Sequence, residues 1–303
     1  MKSTLIIIAG PTGVGKTDAA VELSRRLGRV PIISADSRQV FRGMAIGTAQ
    51  PSAEQLLAAD HYFIADRDAT QEYNSGKFAA EALELLDSLF KEHPYVIAVG
   101  GSGLYIDALC YGFDSLPEAD GRLRKTLEER LENEGLEALV AELRDLDPEY
   151  YEKVDRNNPA RVLRALEVCI STGAPYSAQR SGNRAERNFN IIKIGIAMPR
   201  VELYERIDLR VDSMIAQGLE AEAHALYPLK GLNALNTVGY KELFDYFDGN
   251  STFAEAVELI KRNSRRYAKR QMTWFGRMEA VHWLDAQSAA LAEQAEELVA
   301  GFL

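Results

Sequence analysis

The sequence predicts an α/β protein: a parallel sheet with helices on both faces that carries a phosphate-binding P-loop, plus an inserted all-helical lobe. Three observations lead there. Short, fully apolar runs alternate with helical patterns through the first third of the 303 residues, as they do in βαβ units. A glycine-rich turn joins the first of these runs to the first helical pattern. The stretch from 113 to 188 is rich in Glu, Arg and Leu at helical spacing and holds no convincing strand.

The elements follow in order. Leu5-Ile6-Ile7-Ile8-Ala9 has no polar side, as expected of a strand buried on both faces. After the glycine-rich turn, 16–27 reads as a helix with Ala19, Leu23 and Leu27 on one face. Val30-Pro31-Ile32-Ile33-Ser34-Ala35 is a second strand, and 78–90 a helix turning Phe78, Ala82, Leu86, Leu89 and Phe90 to a core. Tyr95-Val96-Ile97-Ala98-Val99 is another buried strand, ending in Gly100-Gly101-Ser102-Gly103. Pro117, Pro148 and Pro159 punctuate the helical insertion. The run 190–198 returns to the main sheet, and only helices are expected beyond it: 200–217, closed by Gly218 in the position after the C-cap, and a long one over 253–275. This divides the chain into a core of 1–112 with 189–303 and an insertion of 113–188.

Composition bounds the function. There are 35 Lys+Arg against 45 Asp+Glu, a net charge of −10, with 47% hydrophobic and 26% charged residues. These values fit a globular protein and exclude wholesale disorder. No apolar run approaches the about 18 residues of a membrane span, and the first residues are too short for a signal peptide. Cys110 and Cys169 stand alone, which excludes a disulfide framework or zinc ribbon and fits a reduced, cytoplasmic setting. His61, His93, His224 and His282 are scattered without metal spacing. The acidic balance does not exclude a nucleic-acid partner, because phosphate binding follows local charge. Residues 261–277 hold seven basic residues and no acid. Arg262, Arg266 and Arg270 recur every four residues there, as do Arg265 and Lys269, which points to an RNA-binding face. Trp274 and Phe275 in the same segment read as core.

Gly10-Pro11-Thr12-Gly13-Val14-Gly15-Lys16-Thr17 fits G-x-x-x-x-G-K-[ST] throughout, after a buried strand and at the start of a helix. Its backbone N–H groups, the helix N-terminus and Lys16 suit phosphate oxygens, and the Thr17 hydroxyl suits Mg²⁺. A nucleotide hydrolase would usually close a later strand with a Mg²⁺-binding Asp. The strand 95–99 ends instead in glycines and a serine. The acid follows the second strand: Asp36, in Ala35-Asp36-Ser37-Arg38-Gln39. At the carboxyl end of a parallel strand it faces the same crevice as the P-loop. There it could bind Mg²⁺, take a proton from a substrate, or simply cap the next turn.

These residues resemble a known family. Gly10 to Thr17, Asp36-Ser37-Arg38-Gln39, Gly43-Met44, Ile46-Gly47-Thr48-Ala49 and Gly100-Gly101-Ser102-Gly103-Leu104-Tyr105 are similar to segments of the tRNA dimethylallyltransferases. So are Arg161-Val162-Leu163-Arg164, Arg206-Ile207-Asp208-Leu209-Arg210-Val211, Val238-Gly239-Tyr240-Lys241 and Ala268-Lys269-Arg270-Gln271-Met272-Thr273-Trp274-Phe275. The resemblance covers nearly the whole chain. It implies transfer of a dimethylallyl group from dimethylallyl diphosphate to N6 of the adenosine immediately 3′ to the anticodon, with release of diphosphate. The P-loop, Gly10, Pro11, Thr12, Gly13, Val14, Gly15, Lys16 and Thr17, would then hold the diphosphate, with Mg²⁺ on Thr17. Asp36 matches the family's general base, Arg210 an arginine on the diphosphate, and Ser102 stands where Thr is usual. Arg206 shares the helix of Arg210, one turn away, where solvation or pairing with Glu202 or Glu205 is the alternative. Asp36, Ser37, Arg38, Gln39 and Ser102, with Arg124, Arg161, Arg164, Gly239, Tyr240 and Lys241, match positions that contact the tRNA anticodon stem-loop. His61 matches a histidine of the family, either structural or near the site, and is assigned no catalytic role. Asn158, Asn236 and Ser264 depart from the usual Asp, Gln and Thr. A monomer is expected. A small-molecule kinase, a prenyltransferase acting on free adenine nucleotides and a non-catalytic RNA-binding module are the competing readings.

Overall fold

The structure of the protein, a computed structural model, describes residues 2–112, 121–180 and 184–302. Pro117 and the expected start of the insertion at 113 lie outside the described residues. The chain divides into two units by internal packing, Met1–Cys110 with Arg187–Leu303, and Tyr111–Glu186.

The first unit is built on a six-stranded sheet in the order β3-β2-β4-β1-β5-β6, with every described pairing parallel. The strands are β1 (Thr4–Ala9), β2 (Ile32–Ser34), β3 (His61–Tyr62), β4 (Tyr95–Gly100), β5 (Asn190–Ala197) and β6 (Val281–Asp285). Crossovers between parallel strands are helical: α1 (Lys16–Arg26) leaves β1, α2 (Ala53–Ala58) precedes β3, and α3 (Ser75–Leu89) leads to β4. After β4 comes α4 (Gly103–Tyr111). The second unit holds α5 (Gly121–Glu134), α6 (Leu136–Leu146), α7 (Pro148–Lys153) and α8 (Pro159–Thr172). Beyond β5 run α9 (Arg200–Ala216), α10 (Leu219–Leu226), α11 (Tyr240–Phe247) and α12 (Phe253–Phe275), and α13 (Leu291–Gly301) follows β6.

The core explains the apolar runs. β1 lies between β4 and β5, so all six of its residues are buried. Ile6, Ile8, Ile97, Ile192 and Ile194 pack with Leu23 of α1, Leu203 and Ile207 of α9 and Val299 of α13. Helix α12 spans the residues its pattern predicts, and α9 ends one residue short of expectation, with Gly218 beyond it at φ 102°. The expectation that only helices follow β5 is corrected by β6. This strand pairs with β5 alone, and its burial pattern never reaches the full burial of β1. An edge strand needs no continuous apolar run, and Val281-His282-Trp283-Leu284-Asp285 carries none.

The second unit has its own core of Leu127, Leu139, Leu143, Val162, Leu163 and Leu166. Within it Asp147, fully buried, accepts from Tyr150 N at 2.9 Å and from Ser177 N and Oγ, both at 2.7 Å. A buried carboxylate is tolerable when its lone pairs are filled in this way, and here it fastens α7 to the turn Ser177–Gln179.

The carboxyl ends of β1, β2 and β4 converge in the first unit, and one contact sets their spacing. A Cβ on Gly100 would lie 2.1 Å from the carbonyl oxygen of Ala35. Gly100→Ala therefore forces two strand ends apart, and we expect a loss at or above the top of the about 1–3 kcal/mol seen for overpacked cores. Urea denaturation of the variant checks this.

Candidate active site

The crevice at these strand ends is built from four segments. Between β1 and α1, the turn has Gly13 at φ 82° and Gly15 at φ 97°. Side chains rarely adopt this conformation, and it lets consecutive N–H groups converge on one anion. The donors are fewer than the eight-residue motif suggests. Pro11 has no N–H, and its carbonyl accepts from Lys16 Nζ at 2.8 Å. Thr12 N already donates to Gln271 Oε1 at 2.8 Å. Gly10 packs its Cα against β5, where a Cβ would meet Ile196 O at 2.6 Å. The open nest therefore runs from Gly13 to Thr17.

Helix α9 is the second segment. Leu203, Ile207 and Val211 bury its apolar stripe, and this turns Arg210 to the P-loop, where Nη1 donates to Thr12 Oγ1 at 3.2 Å. Arg206 reaches the same loop: a Cβ on Gly15 would lie 3.7 Å from its Nη2. Among the described residues neither arginine pairs with Glu202 or Glu205, and Glu202 instead accepts from Gln287. Burial lowers the proton affinity of Lys16 first, and the Arg210 charge lowers it further. Asp36 acts the other way, and the net result is a pKa of about 7 against an ordinary 10.5. The site holds more positive charge than it neutralises, which suits a multiply charged anion.

The third segment is the turn after β2. Asp36 Oδ1 accepts from the backbone N–H of Arg38 at 2.9 Å and of Gln39 at 3.3 Å. It is thus a cap for the turn, while these bonds leave Oδ2 its lone pairs, and Asp36 lines a cavity of about 690 Å³. Ser102, just past β4, accepts from Ser37 N at 3.0 Å and donates to Ser37 Oγ at 3.2 Å. Tyr267 of α12 neighbours Ser102, and burial and Asp36 push its pKa up to about 12. Asp36, Ser102, Lys16, Arg210 and Tyr267 therefore share one neighbourhood.

The residues beside Asp36 do other work. Gln39 spends its amide inside the protein, with Nε2 on Ala49 O at 2.8 Å and Thr48 O at 3.3 Å and Oε1 on Ser34 Oγ at 2.9 Å. Arg38 donates to the carbonyls of Asn233 at 2.7 Å and Asn236 at 3.5 Å. Tyr240 is fully buried, and its hydroxyl donates to Glu222 Oε1 at 2.7 Å. The same carboxylate accepts from Ile46 N and Gly47 N, each at 2.8 Å. The wall formed by Gly47, Thr48 and Gly239 is thus held by Glu222 and by Glu242, which accepts from Gly239 N at 2.8 Å. Lys241 is exposed and lines the cavity.

Helix α12 is the fourth segment, and it splits the expected basic face. Arg262, Arg266 and Arg270 line the cavity. Lys261 instead pairs with Asp212 at 2.7 Å, and Arg265 with Asp208 of α9. Phe275 is core, 1% exposed, but Trp274 is not. It is 38% exposed, with Nε1 donating to Asp107 Oδ2 at 3.0 Å. The indole spends its N–H on a surface carboxylate, which corrects its reading as core.

The remaining sequence-predicted residues lie elsewhere. In the second unit, Arg124 pairs with Glu128 at 2.8 Å, Arg161 is exposed in the first turn of α8 behind its cap Asn158, and Arg164 bonds the buried Glu167 at 3.0 Å. His61, on edge strand β3, lies 3.2 Å from Gln55 O, and burial lowers its pKa. Sequence reasoning missed Gln271, Glu222, Glu242 and Tyr267, which are polar residues inside helices. Their function is visible only once the helices are packed.

Among the described residues, no three His, Cys, Asp or Glu side chains gather as a metal cage. The Thr17 hydroxyl beside an anion nest is the kind of sparse site that suits Mg²⁺, which keeps its waters and takes most other ligands from phosphate.

The model of one protein family, IPP transferase, matches residues 39–278. A tRNA dimethylallyltransferase of Porphyromonas gingivalis is 50% identical over 285 residues, 94% of this chain and 95% of that one. The full-length tRNA isopentenylpyrophosphate transferase of Bacillus halodurans superposes with a TM-score of 0.74 at 38% identity, covering 99% of this chain and 96% of its own. A eukaryotic dimethylallyltransferase acting on tRNA shares the fold, with a TM-score of 0.82 at 24% identity over 99% of this chain and 80% of its own.

The Lys16 shift carries a sign. Between pH of about 7 and 10.5 the unfolded chain holds a proton on Lys16 that the folded chain has lost, so stability rises with pH across this window. The cost of burying the charge is fully present only below about pH 7. Lys16→Met should therefore be more stable than the wild type near about pH 6, an advantage that fades as pH climbs towards 10.5. Urea titrations of both proteins over this range, without diphosphate, check it.

Proposed function

The chain belongs to the IPP transferase family, and from that premise we propose that it transfers a dimethylallyl group from dimethylallyl diphosphate to N6 of the adenosine immediately 3′ to the anticodon of tRNA. The observation that carries this reading is the Asp36 carboxylate in a cavity that Thr12 of the P-loop and Arg210 also line, close enough to Lys16 for the charges to act on one another. That pairing fits an acceptor that loses a proton opposite a donor that loses diphosphate.

The reaction forms one bond and breaks one. The N6 lone pair attacks C1 of the dimethylallyl group, the C1–O bond breaks, and its electron pair leaves with the diphosphate. The adenine amine is a weak nucleophile because its lone pair is delocalised into the ring. Removing its proton as the C–N bond forms lowers the barrier, and Asp36 Oδ2 is the acceptor we assign. Oδ1, held by two N–H groups, fixes the carboxylate plane. The Gly13 to Thr17 nest, Lys16 and Arg210 stabilise charge on the departing diphosphate. The anion also restores the proton on Lys16, and Arg206 extends the cationic rim. Mg²⁺, held by the Thr17 hydroxyl, supplies further charge neutralisation when bound.

The acceptor must be swung out of the anticodon loop to reach this cavity, at a stacking cost of a few kcal/mol. Arg262, Arg266, Arg270 and Lys241 are the groups we assign to the RNA backbone, with Ser37 and Ser102 beside the amine. Arg38, Gln39, Gly239 and Tyr240 serve the same end indirectly, by shaping the wall. In the second unit, Arg161 is the phosphate contact we assign, and Arg124 shares its charge with Glu128.

Incubation with Mg²⁺, dimethylallyl diphosphate and unmodified tRNA, followed by nucleoside mass spectrometry, tests the whole reading. Prenylated adenosine from tRNA but not from AMP is expected, whereas phosphate transfer from ATP with no prenylated product would overturn it. Asp36→Ala should slow transfer by about 10²–10⁴-fold while tRNA affinity holds, and lost affinity with intact turnover would remove the base assignment.

Two arginines one turn apart separate contact from support. Arg161→Ala should weaken tRNA binding and shallow its salt dependence by about one phosphate's worth. Arg164→Ala strips the buried Glu167 of its partner and should lower stability first. Filter binding across a salt series and thermal melting distinguish the two.

A further inference from the structure

Gln271 is a polar side chain only 6% exposed, and both ends of its amide are engaged across the site. Oε1 accepts from Thr12 N at 2.8 Å, and Nε2 donates to Gly101 O at 2.8 Å. One residue of α12 therefore bridges the first turn of the P-loop and the turn that carries Ser102. The first turn leads into the nest around the leaving group. The second leads through Ser102 and Ser37 to Asp36. Nothing else recorded among the described residues ties these two turns together through one side chain.

Resting on the proposed function, we infer that Gln271 is a positioning residue for the transfer: its amide sets the distance between the diphosphate nest and the serine–aspartate side of the cavity. The amide is required in particular. Thr12 offers a donor and Gly101 an acceptor, so the bridge needs one acceptor and one donor on a single planar group. Glutamate supplies two acceptors and sets a negative oxygen against the Gly101 carbonyl, beside the diphosphate. Methionine fills the volume and supplies neither bond. The turn also leaves no slack: a Cβ on Gly101 would lie 2.3 Å from Nε2 and 3.7 Å from Lys16 Nζ. Glycine at 101 is what allows the amide to sit against this backbone.

A bridge of this kind acts on geometry. Displacements near 1 Å at reacting centres cost about 10²-fold in rate, whereas ground-state binding of each substrate uses groups that remain in place. The variants are Gln271→Met, Gln271→Glu and, from the opposite side of the same contact, Gly101→Ala. Steady-state prenylation of tRNA is measured for each, with tRNA affinity by filter binding and folding by thermal melting. We expect kcat to fall by about 10–100-fold in all three, with KM for dimethylallyl diphosphate moved less than the turnover and tRNA affinity unchanged. Because both sites break one bridge, the Gln271→Met, Gly101→Ala double variant should lose no more than the worse single variant.

Retained kcat in Gln271→Met overturns the inference, and so does a fall carried by KM alone or a double variant whose losses multiply. If Gln271→Met fails to fold, Gly101→Ala carries the same kcat and KM comparison. A wild type that makes no prenylated adenosine would remove the proposed function itself, an outcome separate from any of these.

Discussion

Charge left uncompensated in the folded protein is the constraint around which this site is arranged. Lys16 sits where burial and the Arg210 guanidinium both oppose its proton, and Asp36 is the carboxylate that pulls the other way. Arg210 is itself depressed by burial, with Asp36 again the opposing influence. A fold that buries like charges must hold them in place through its packing, because they would otherwise swing out to water. The apolar stripe of α9 does this for Arg210, and a backbone carbonyl within the loop does it for Lys16. The binding energy of an incoming polyanion is then available from the outset, since its groups are already assembled.

The acidic surplus of the chain follows the same logic. A protein with a net charge of −10 that must meet RNA has to keep its acids away from one face. Here the acids of α9 are directed to the back of α12: Asp212 holds Lys261 and Asp208 holds Arg265. These pairs take two cations out of the basic helix and set its rotation about its own axis. Arg262, Arg266 and Arg270, every fourth residue, then fall together along the cavity. Helical periodicity predicts the stripe, but only the packed partner decides which stripe is used for structure and which faces the crevice.

The main sheet was legible because burial on both faces leaves no room for polar residues, so β1 and β4 announce themselves. Strand β6 was not, because an edge strand is relieved of that demand. At the site, legibility tracked backbone chemistry. The P-loop is written in glycines and one lysine, and Asp36 in its place at the end of a strand. The neighbours of Asp36 show where such reading stops. Gln39 and Tyr240 sit in segments that resemble tRNA-contacting ones, yet their polar atoms close on Ala49 and Glu222. Adjacency in sequence cannot tell a side chain that meets a ligand from one that holds the wall behind it. Trp274 makes the converse point, since an aromatic next to a core phenylalanine is exposed when its indole N–H finds a surface carboxylate.

Asp36 also shows that a structural and a chemical role need not compete for one residue. A carboxylate has two oxygens, and a cap uses one. With Oδ1 bonded to the N–H groups of Arg38 and Gln39, the side chain has a single rotamer and a defined plane. A base prepared in this way loses little entropy when it meets the amine. The capping geometry that would make Asp36 unremarkable in an ordinary turn is therefore what makes its second oxygen useful in this one.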